Sequence, residues 1–266
     1  MTPVNDGTFW IPGQFTPDET PAGWVPQGTT PRTLNDKIET DYYYHDAVVL
    51  MDGNGRTLKK LSVLKAIVDA GLEGALYQSM VETTSDATHL NDIGIVTAPL
   101  AARIEGVKPG DILVSLRAMN MLAILDKDTG ALEWHKQGPW LRQHDPDIMP
   151  DGTIEIFNNR NPLIGWQHPG SQILRYDPAT ENTAVVFPKG RADAFETDTM
   201  GVHQTMANGN RLITETRAGR IFEVTPSGEV VWDYRLPYDE DYAAMFTFGM
   251  HVPDDYFDKG IPRCSS

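Results

Sequence analysis

The 266 residues carry 22 Lys and Arg against 37 Asp and Glu, for a formal net charge of −15, with 40% hydrophobic and 22% charged residues. This length and composition allow one large domain or two small ones around a real core, and the acidity, with no offsetting Lys/Arg block, opposes non-specific nucleic-acid binding. A single cysteine, Cys264, excludes an internal disulfide and any CxxC redox or metal site, and neither a signal-peptide pattern nor an 18-residue apolar run is present.

In chain order, NDGTFWIPG at 5–13 reads as the second strand of an inner hairpin, because it resembles PDGTIEIFN further on. AVVLMDGNGRTLKKLS, around Asp52, reads as an outer hairpin. The segment at about 59–80 then places Leu61, Leu64, Val68 and Leu72 at helical spacing, with Gly71 and Gly74 as breakers, and is expected to form an inserted amphipathic helix. From there, inner and outer hairpins alternate. The inner ones are HLNDIGIV with GDILVSLR, HDPDIMPDGTIEIFNN and HQTMANGNRLITET, turning at Gly110, Gly152 and Gly209. The outer ones are MLAILDKDTGALEWHK, QILRYDPATENTAVVF and RIFEVTPSGEVVWDYR. A closing segment, MFTFGMHVPDDYF, follows.

The outer turn positions Asp126, Asp177 and Thr225 lie 51 and 48 residues apart. Four strands per unit at a period near 50 is the pattern of a β-propeller, whose blades are four-stranded sheets around a channel. The expected fold is therefore all-β, a single propeller domain over 1–266 with about four blades visible. A start in mid-blade favours an N-terminally truncated larger propeller over a complete four-bladed one.

His89, His144 and His203 each open the inner hairpin of a successive blade, 55 and 59 residues apart. Equivalent positions on innermost strands converge on the channel, so the three imidazoles are expected to face one another at one mouth. Asn91 leaves the same strand face as His89, Arg117 ends the paired strand, and Asn158, Asn159 and Arg160 close the next. The ring so formed is rich in His, Asn and Arg donors, with few carboxylates expected inward. A tethering role for these histidines and a metal role are the alternatives, the imidazoles suiting Zn or Cu and the nearby Asp92, Asp145 and Asp147 suiting Ca²⁺. An arginine in the ring favours an anion over a cation, and no metal or cofactor is expected. His135 and His168 read as surface residues. His45, which leads into an outer hairpin, is discounted, and His251 is a candidate to complete the ring.

Over about 86–256, the ordered combination of H-x-N (His89, Asn91), S-x-R (Ser115, Arg117) and Q-H-D (Gln143, His144, Asp145), with ANGNRLITETRAGRIFEVTPSGEVVWDY continuing it, resembles the arylsulfate sulfotransferase family. The resemblance implies a six-bladed propeller that moves a sulfuryl group from a phenolic sulfate ester to a phenol without 3′-phosphoadenylyl sulfate. By position it implies His144 as the nucleophile that becomes sulfated. His89 and Arg117 are implied as catalytic partners and Asn91 as a substrate-binding residue, and His203 and Asn158 join the substrate-binding set from their repeat positions. It also implies a small-molecule phenolic sulfate donor and phenol acceptor, and a periplasmic or secreted location. The competing readings are a non-catalytic propeller binding module and a metal-dependent propeller hydrolase or lactonase.

Overall fold

A computed structural model of the chain describes residues 2–4, 6–20, 30–31, 42–80, 86–160, 170–240, 243–253 and 255–257; His168 and Cys264 lie outside them. The strands are β1 (Thr2–Pro3), β2 (Phe9–Gln14), β3 (Thr30–Pro31), β4 (Tyr42–Tyr43), β5 (Asp46–Met51) and β6 (Thr57–Ser62). They continue with β7 (Leu90–Ile95), β8 (Ile112–Leu116), β9 (Met121–Leu125), β10 (Leu132–Gln137), β11 (His144–Ile148) and β12 (Ile154–Asn158). The last six are β13 (Gln172–Asp177), β14 (Asn182–Phe187), β15 (Val202–Thr205), β16 (Arg211–Glu215), β17 (Arg220–Val224) and β18 (Val230–Arg235).

Four antiparallel four-stranded sheets result, in the orders β1-β2-β5-β6, β7-β8-β9-β10, β11-β12-β13-β14 and β15-β16-β17-β18, beside a two-stranded parallel pair of β3 and β4. The first strands of successive sheets touch, β1 against β7, β7 against β11 and β11 against β15. This is an all-β propeller arrangement, with each blade's first strand innermost. One expectation changes at the start of the chain. Thr2–Pro3 pairs with Phe9 and Trp10, so the first blade has all four strands and does not begin at its second.

The core lies between blades, because the inner strands are covered on both faces. Every residue of β8 and β9 is buried, as expected for strands that read as continuous apolar runs. Alternation sends Ile112, Val114 and Leu116 toward the first blade with Trp10, Val48 and Leu61. The opposite face sends Leu113, with Leu122 and Ile124, toward Ile154, Ile156 and Tyr176 of the third. Phe157, Ile173 and Phe187 then pack on Ile213, Phe222 and Val224 of the fourth, with Phe195 edge-on to Phe157 at 5.8 Å between centroids.

The helical insertion starts later than its spacing suggests. Thr57–Ser62 is the outer strand β6, with Leu61 opposite Val48, and the helices are α1 (Val63–Asp69) and α2 (Glu73–Met80). Leu61 fits a helical stripe by coincidence of parity, while its backbone completes the sheet. Ser62 sets the boundary, its Oγ accepting from Lys65 N at 2.9 Å as an N-cap. Gly71, at φ +72°, ends α1, whereas Gly74 lies inside α2. A third short helix, α3 (Ala98–Ala101), covers the turn of the third blade.

That turn explains one glycine. In Pro-Asp-Gly, Asp151 Oδ1 accepts from Thr153 N at 2.9 Å, Gly152 N donates to Met149 O at 2.8 Å, and Gly152 has φ +83°. A Cβ there would meet Pro99 O at 2.5 Å, so both the left-handed backbone and the approach of α3 require glycine.

His45 is a core residue of the first blade. Thr20 Oγ1 donates to Thr16 O at 3.0 Å and so accepts from His45 Nδ1 at 3.2 Å, which leaves Nε2 to accept from Ser62 Oγ at 2.7 Å. Phe15 stacks on the ring at 4.6 Å. Burial pushes its pKa from 6.5 down to about 4. The unfolded chain takes up this proton near pH 6.5 and the folded chain only near 4. The stability contributed here is therefore whole above pH 6.5 and is lost as pH falls through that window. The neighbouring Asp46 is raised from 3.8 to about 6 by burial, and its contribution runs the opposite way, lost as pH rises from 3.8 to 6. Parallel chemical denaturation at pH 7 and pH 4.5 isolates the histidine: His45→Gln should gain on the order of 2 kcal/mol relative to the parent on the acid side. An unchanged difference between the two pH values would show that the ring titrates alike in the folded and unfolded chain, and that burial does not lower its pKa.

Candidate active site

The inner hairpins of the second and third blades place the sequence-predicted residues at one end of the channel. His89 precedes β7 and His144 opens β11; Arg117 follows β8, its N–H bonded to His89 O at 3.1 Å. Asn91 Nδ2 donates to Gln143 O at 2.8 Å, next to His144. His144 lies within electrostatic reach of both Arg117 and His89. The backbone is held off its relaxed form here: His89, Arg142, Asp145 and Arg160 all have φ between 48° and 52°. Both β7 and β11 break register just after their histidines. Non-glycine residues in this region cost conformational energy and concentrate where side chains must be aimed.

The three residues Gln143, His144 and Asp145 divide the work. Gln143 is fully buried; its Nε2 donates to Ser115 Oγ at 3.1 Å and Met121 O at 3.0 Å, pinning β11 to the second blade. Asp145 Oδ2 accepts from His203 N at 2.6 Å and meets His203 Nδ1 at 2.9 Å, pinning it to the fourth. His144, between them, has both flanks fixed.

The tautomer of His144 follows from its neighbours. Nδ1 faces two acceptors, Arg142 O at 3.1 Å and Asn159 Oδ1 at 2.7 Å. The Asn159 amide cannot be reversed, because its Nδ2 donates to Thr197 O at 2.9 Å and Met200 O at 2.7 Å. Nδ1 therefore carries the proton, and Nε2 of the neutral ring keeps its lone pair. Burial, aided by Arg117 and His89 and opposed by the Asn159 bond, lowers the pKa of His144 from 6.5 to about 4, so the ring is neutral near pH 7.

Not every expected residue joins this group. Asn158 is turned away, with Oδ1 accepting from Leu141 N at 2.8 Å and Nδ2 donating to Gln172 Oε1 at 3.2 Å. Strand parity explains this: His144 pairs with Phe157, so Asn159, two residues on, shares its face and Asn158 does not. His203 does not meet the other two histidines across the channel; it is fully buried against Asp145. His251 is exposed in the closing segment, with its main chain clasped by Gln204 at 2.7 and 3.2 Å. His135 is exposed on β10.

The expectation of few inward carboxylates is overturned. Asp145 and Asp147 lie beside His203, and both act on Asp92 of β7, whose pKa is raised to about 7 by burial and then by their charges. Asp147 is raised to about 6, chiefly by burial. Glu155 completes the group, held down to about 2 against its burial by Arg211. Asp92, Asp145 and Asp147 lie on the innermost strands β7 and β11, while Glu155 of β12 is buried at the junction of the third and fourth blades, a signal present in the sequence but outweighed there by the histidine register. Asn159, placed in the ring by the sequence but without a role, is the residue that holds His144. One further residue escaped sequence reasoning, Asp86; its carboxylate accepts a hydrogen bond from His89 Nδ1, three residues away in SDATH.

A pocket of about 450 Å³ lies at the same end, walled by Ala75 and Ser79 of α2, Met119, Pro139, Trp140 and Arg142. Arg142 joins it to the site, since its carbonyl receives the His144 Nδ1–H.

The model of the arylsulfotransferase (ASST) family matches residues 5–236. The chain belongs to the arylsulfotransferase family. No curated protein matches it. Among solved structures, a streptogramin B lyase is 13% identical, covering 86% of this chain and 59% of that one, at a TM-score of 0.43. Virginiamycin B lyase from Staphylococcus aureus, as the catalytically inactive H270A form with quinupristin, is 12% identical over 73% of this chain and 50% of that one, TM-score 0.42. A protein of unknown function from Bacteroides caccae is 14% identical over 71% and 53%, TM-score 0.41. This arylsulfotransferase-like chain thus spans between half and three-fifths of the length of these structures. Among the described residues, no helix is long and apolar enough to cross a membrane.

Proposed function

We propose that the chain transfers a sulfuryl group from a phenolic sulfate ester to a phenol through a sulfated His144, without 3′-phosphoadenylyl sulfate. The observation that carries this reading is the fixed tautomer of His144, which leaves Nε2 as a neutral nucleophile beside Arg117 and His89. Nε2 attacks sulfur, the S–O bond to the aryl group breaks, and the departing phenolate takes a proton from His89. In the second half, His89 removes the proton of the acceptor phenol, the phenol oxygen attacks sulfur, the N–S bond breaks and His144 returns to its starting state.

The hydrogen-bond partners suit these steps. Neutral acceptors, not a carboxylate, hold His144 Nδ1–H, so the sulfated ring keeps its proton and remains a good leaving group. Asp86 behind His89 holds the ring through Nδ1 and fixes its orientation, as a carboxylate does in a catalytic triad. Arg117 and the second N–H of Asn91 supply donors to the sulfuryl oxygens, whose charge must be met as in phosphoryl transfer. The pocket beside Arg142, with Met119, Pro139 and Trp140 in its wall, offers an apolar surface for the aryl ring.

Incubation with a chromogenic aryl sulfate, with and without a phenol, tests this. The expected result is phenol release accelerated by the acceptor, and intact-mass detection of one sulfuryl group on the protein when the acceptor is withheld. No release under either condition would sink the transferase reading.

A further inference from the structure

The third and fourth blades meet at a group of side chains that the transfer chemistry leaves unused. One carboxylate oxygen each from Asp145 and Asp147 and one ring nitrogen of His203 lie within 4.8 Å of one another. His203 is fully buried, with Nδ1 committed to Asp145 Oδ2 at 2.9 Å. Its Nε2 is also buried and, among the described residues, has no hydrogen-bond partner. The carboxylate oxygens facing it, from Asp147 and Glu155, stand 3.8 and 3.7 Å away, beyond hydrogen-bond reach. Protonation does not cure this, since an imidazolium Nε2–H would find no acceptor either. Two ligands of one ion at roughly 2.1 Å each lie about 3–4 Å apart, so the gap at Nε2 has the span of atoms sharing a cation.

The surrounding charge agrees. Four carboxylates gather here: Asp145, Asp147, Glu155, and Asp92 within electrostatic range of the first two. Two guanidiniums oppose them, Arg175 and Arg211, and both are bound to Glu155. The carboxylates thus outnumber the guanidiniums that face them.

We propose that Asp145, Asp147 and His203 Nε2 bind one divalent transition-metal ion of the Zn²⁺ or Mn²⁺ type. One imidazole among carboxylates suits these ions better than Ca²⁺ or Mg²⁺, which favour all-oxygen sites. The Asp145 bond to Nδ1 fixes the ring so that Nε2 presents its lone pair, the usual arrangement behind a metal-bound histidine. The ion fastens β11 to β15, and so joins the third blade to the fourth. Arg117 acts on His144 at the strand ends and is not among the charges that act on His203 or Asp147.

The test uses the full chain stripped by chelation, titrated with Zn²⁺, Mn²⁺, Ca²⁺ and Mg²⁺ separately by calorimetry and thermal melting. One equivalent of Zn²⁺ or Mn²⁺ should bind and raise Tm by several degrees. Asp147→Asn, half-exposed and isosteric, should weaken binding at least tenfold, and His203→Asn likewise if it folds, while the exposed control His251→Ala should bind as the parent does. Absence of binding by every ion overturns the site. So does Zn²⁺ or Mn²⁺ affinity that Asp147→Asn leaves intact, or binding confined to Ca²⁺ or Mg²⁺. Failure here leaves the sulfuryl-transfer reading untouched, because the readouts are affinity and Tm.

Discussion

Replacing His144 by alanine should lower aryl-sulfate turnover by roughly 10³-fold or more and abolish the sulfuryl adduct, while the melting temperature moves by only a few degrees. The size of the kinetic loss follows from the role. A residue that merely lined the site could be removed at the cost of one contact, whereas removal of a nucleophile takes away the covalent route and leaves only positioning by Arg117, Asn91 and His89. The small effect on stability follows from the hydrogen bonds. Among the described residues His144 accepts none through Nε2, and it donates one shared N–H through Nδ1. Gln143 and Asp145 do the anchoring of β11 on either side. A variant that kept both turnover and adduct would move the nucleophile elsewhere, with His89 next in line. A variant that lost turnover together with a large drop in Tm would instead mark the ring as structural.

Much of this architecture is readable in the residues. The turn residues Asp126, Asp177 and Thr225 recur evenly because each blade is the same four-strand unit, and repetition makes weak hairpin signals strong. The site was partly readable for the same reason, since His89 and His144 occupy equivalent places and the fold brings them to one end of the channel. The misses have physical causes. Asn158 and Asn159 are adjacent, and only the pairing of His144 with Phe157 decides which shares its face. Leu61 satisfies a helical and a strand pattern equally, and the pairing with Val48 settles it. His203 holds the register of a channel residue, but its ring goes to Asp145 because a bulge at the start of β11 turns that carboxylate toward the fourth blade. Bulges and left-handed residues leave little trace in the sequence when no glycine marks them.

The second large effect should be on stability, at Glu155. Its side chain is fully buried near the start of β12, and it joins elements of two blades. On its own sheet it pairs in register with Arg175 of β13 and accepts from that guanidinium at 2.6 and 3.0 Å. Across the blade junction it accepts from Arg211 of β16 at 2.6 and 3.0 Å and from Thr205 Oγ1 at 2.8 Å. Arg175 is 38% exposed and can turn to water if its partner is lost, but Arg211 is only 8% exposed. Glu155→Ala therefore leaves a buried guanidinium uncompensated, and breaking a buried pair in this way costs about 3–5 kcal/mol, measurable by urea unfolding. Glu155→Gln, which keeps some of the hydrogen bonds without the charge, should fall between. The comparison that decides whether charge isolation is the cause is the double substitution Glu155→Met with Arg211→Met. Replacing both partners by apolar side chains removes the stranded charge, so this variant should recover more than half of the loss. If the double variant is as unstable as the sum of the two single ones, the loss comes from packing at the junction, and the ion pair is not what joins the third blade to the fourth.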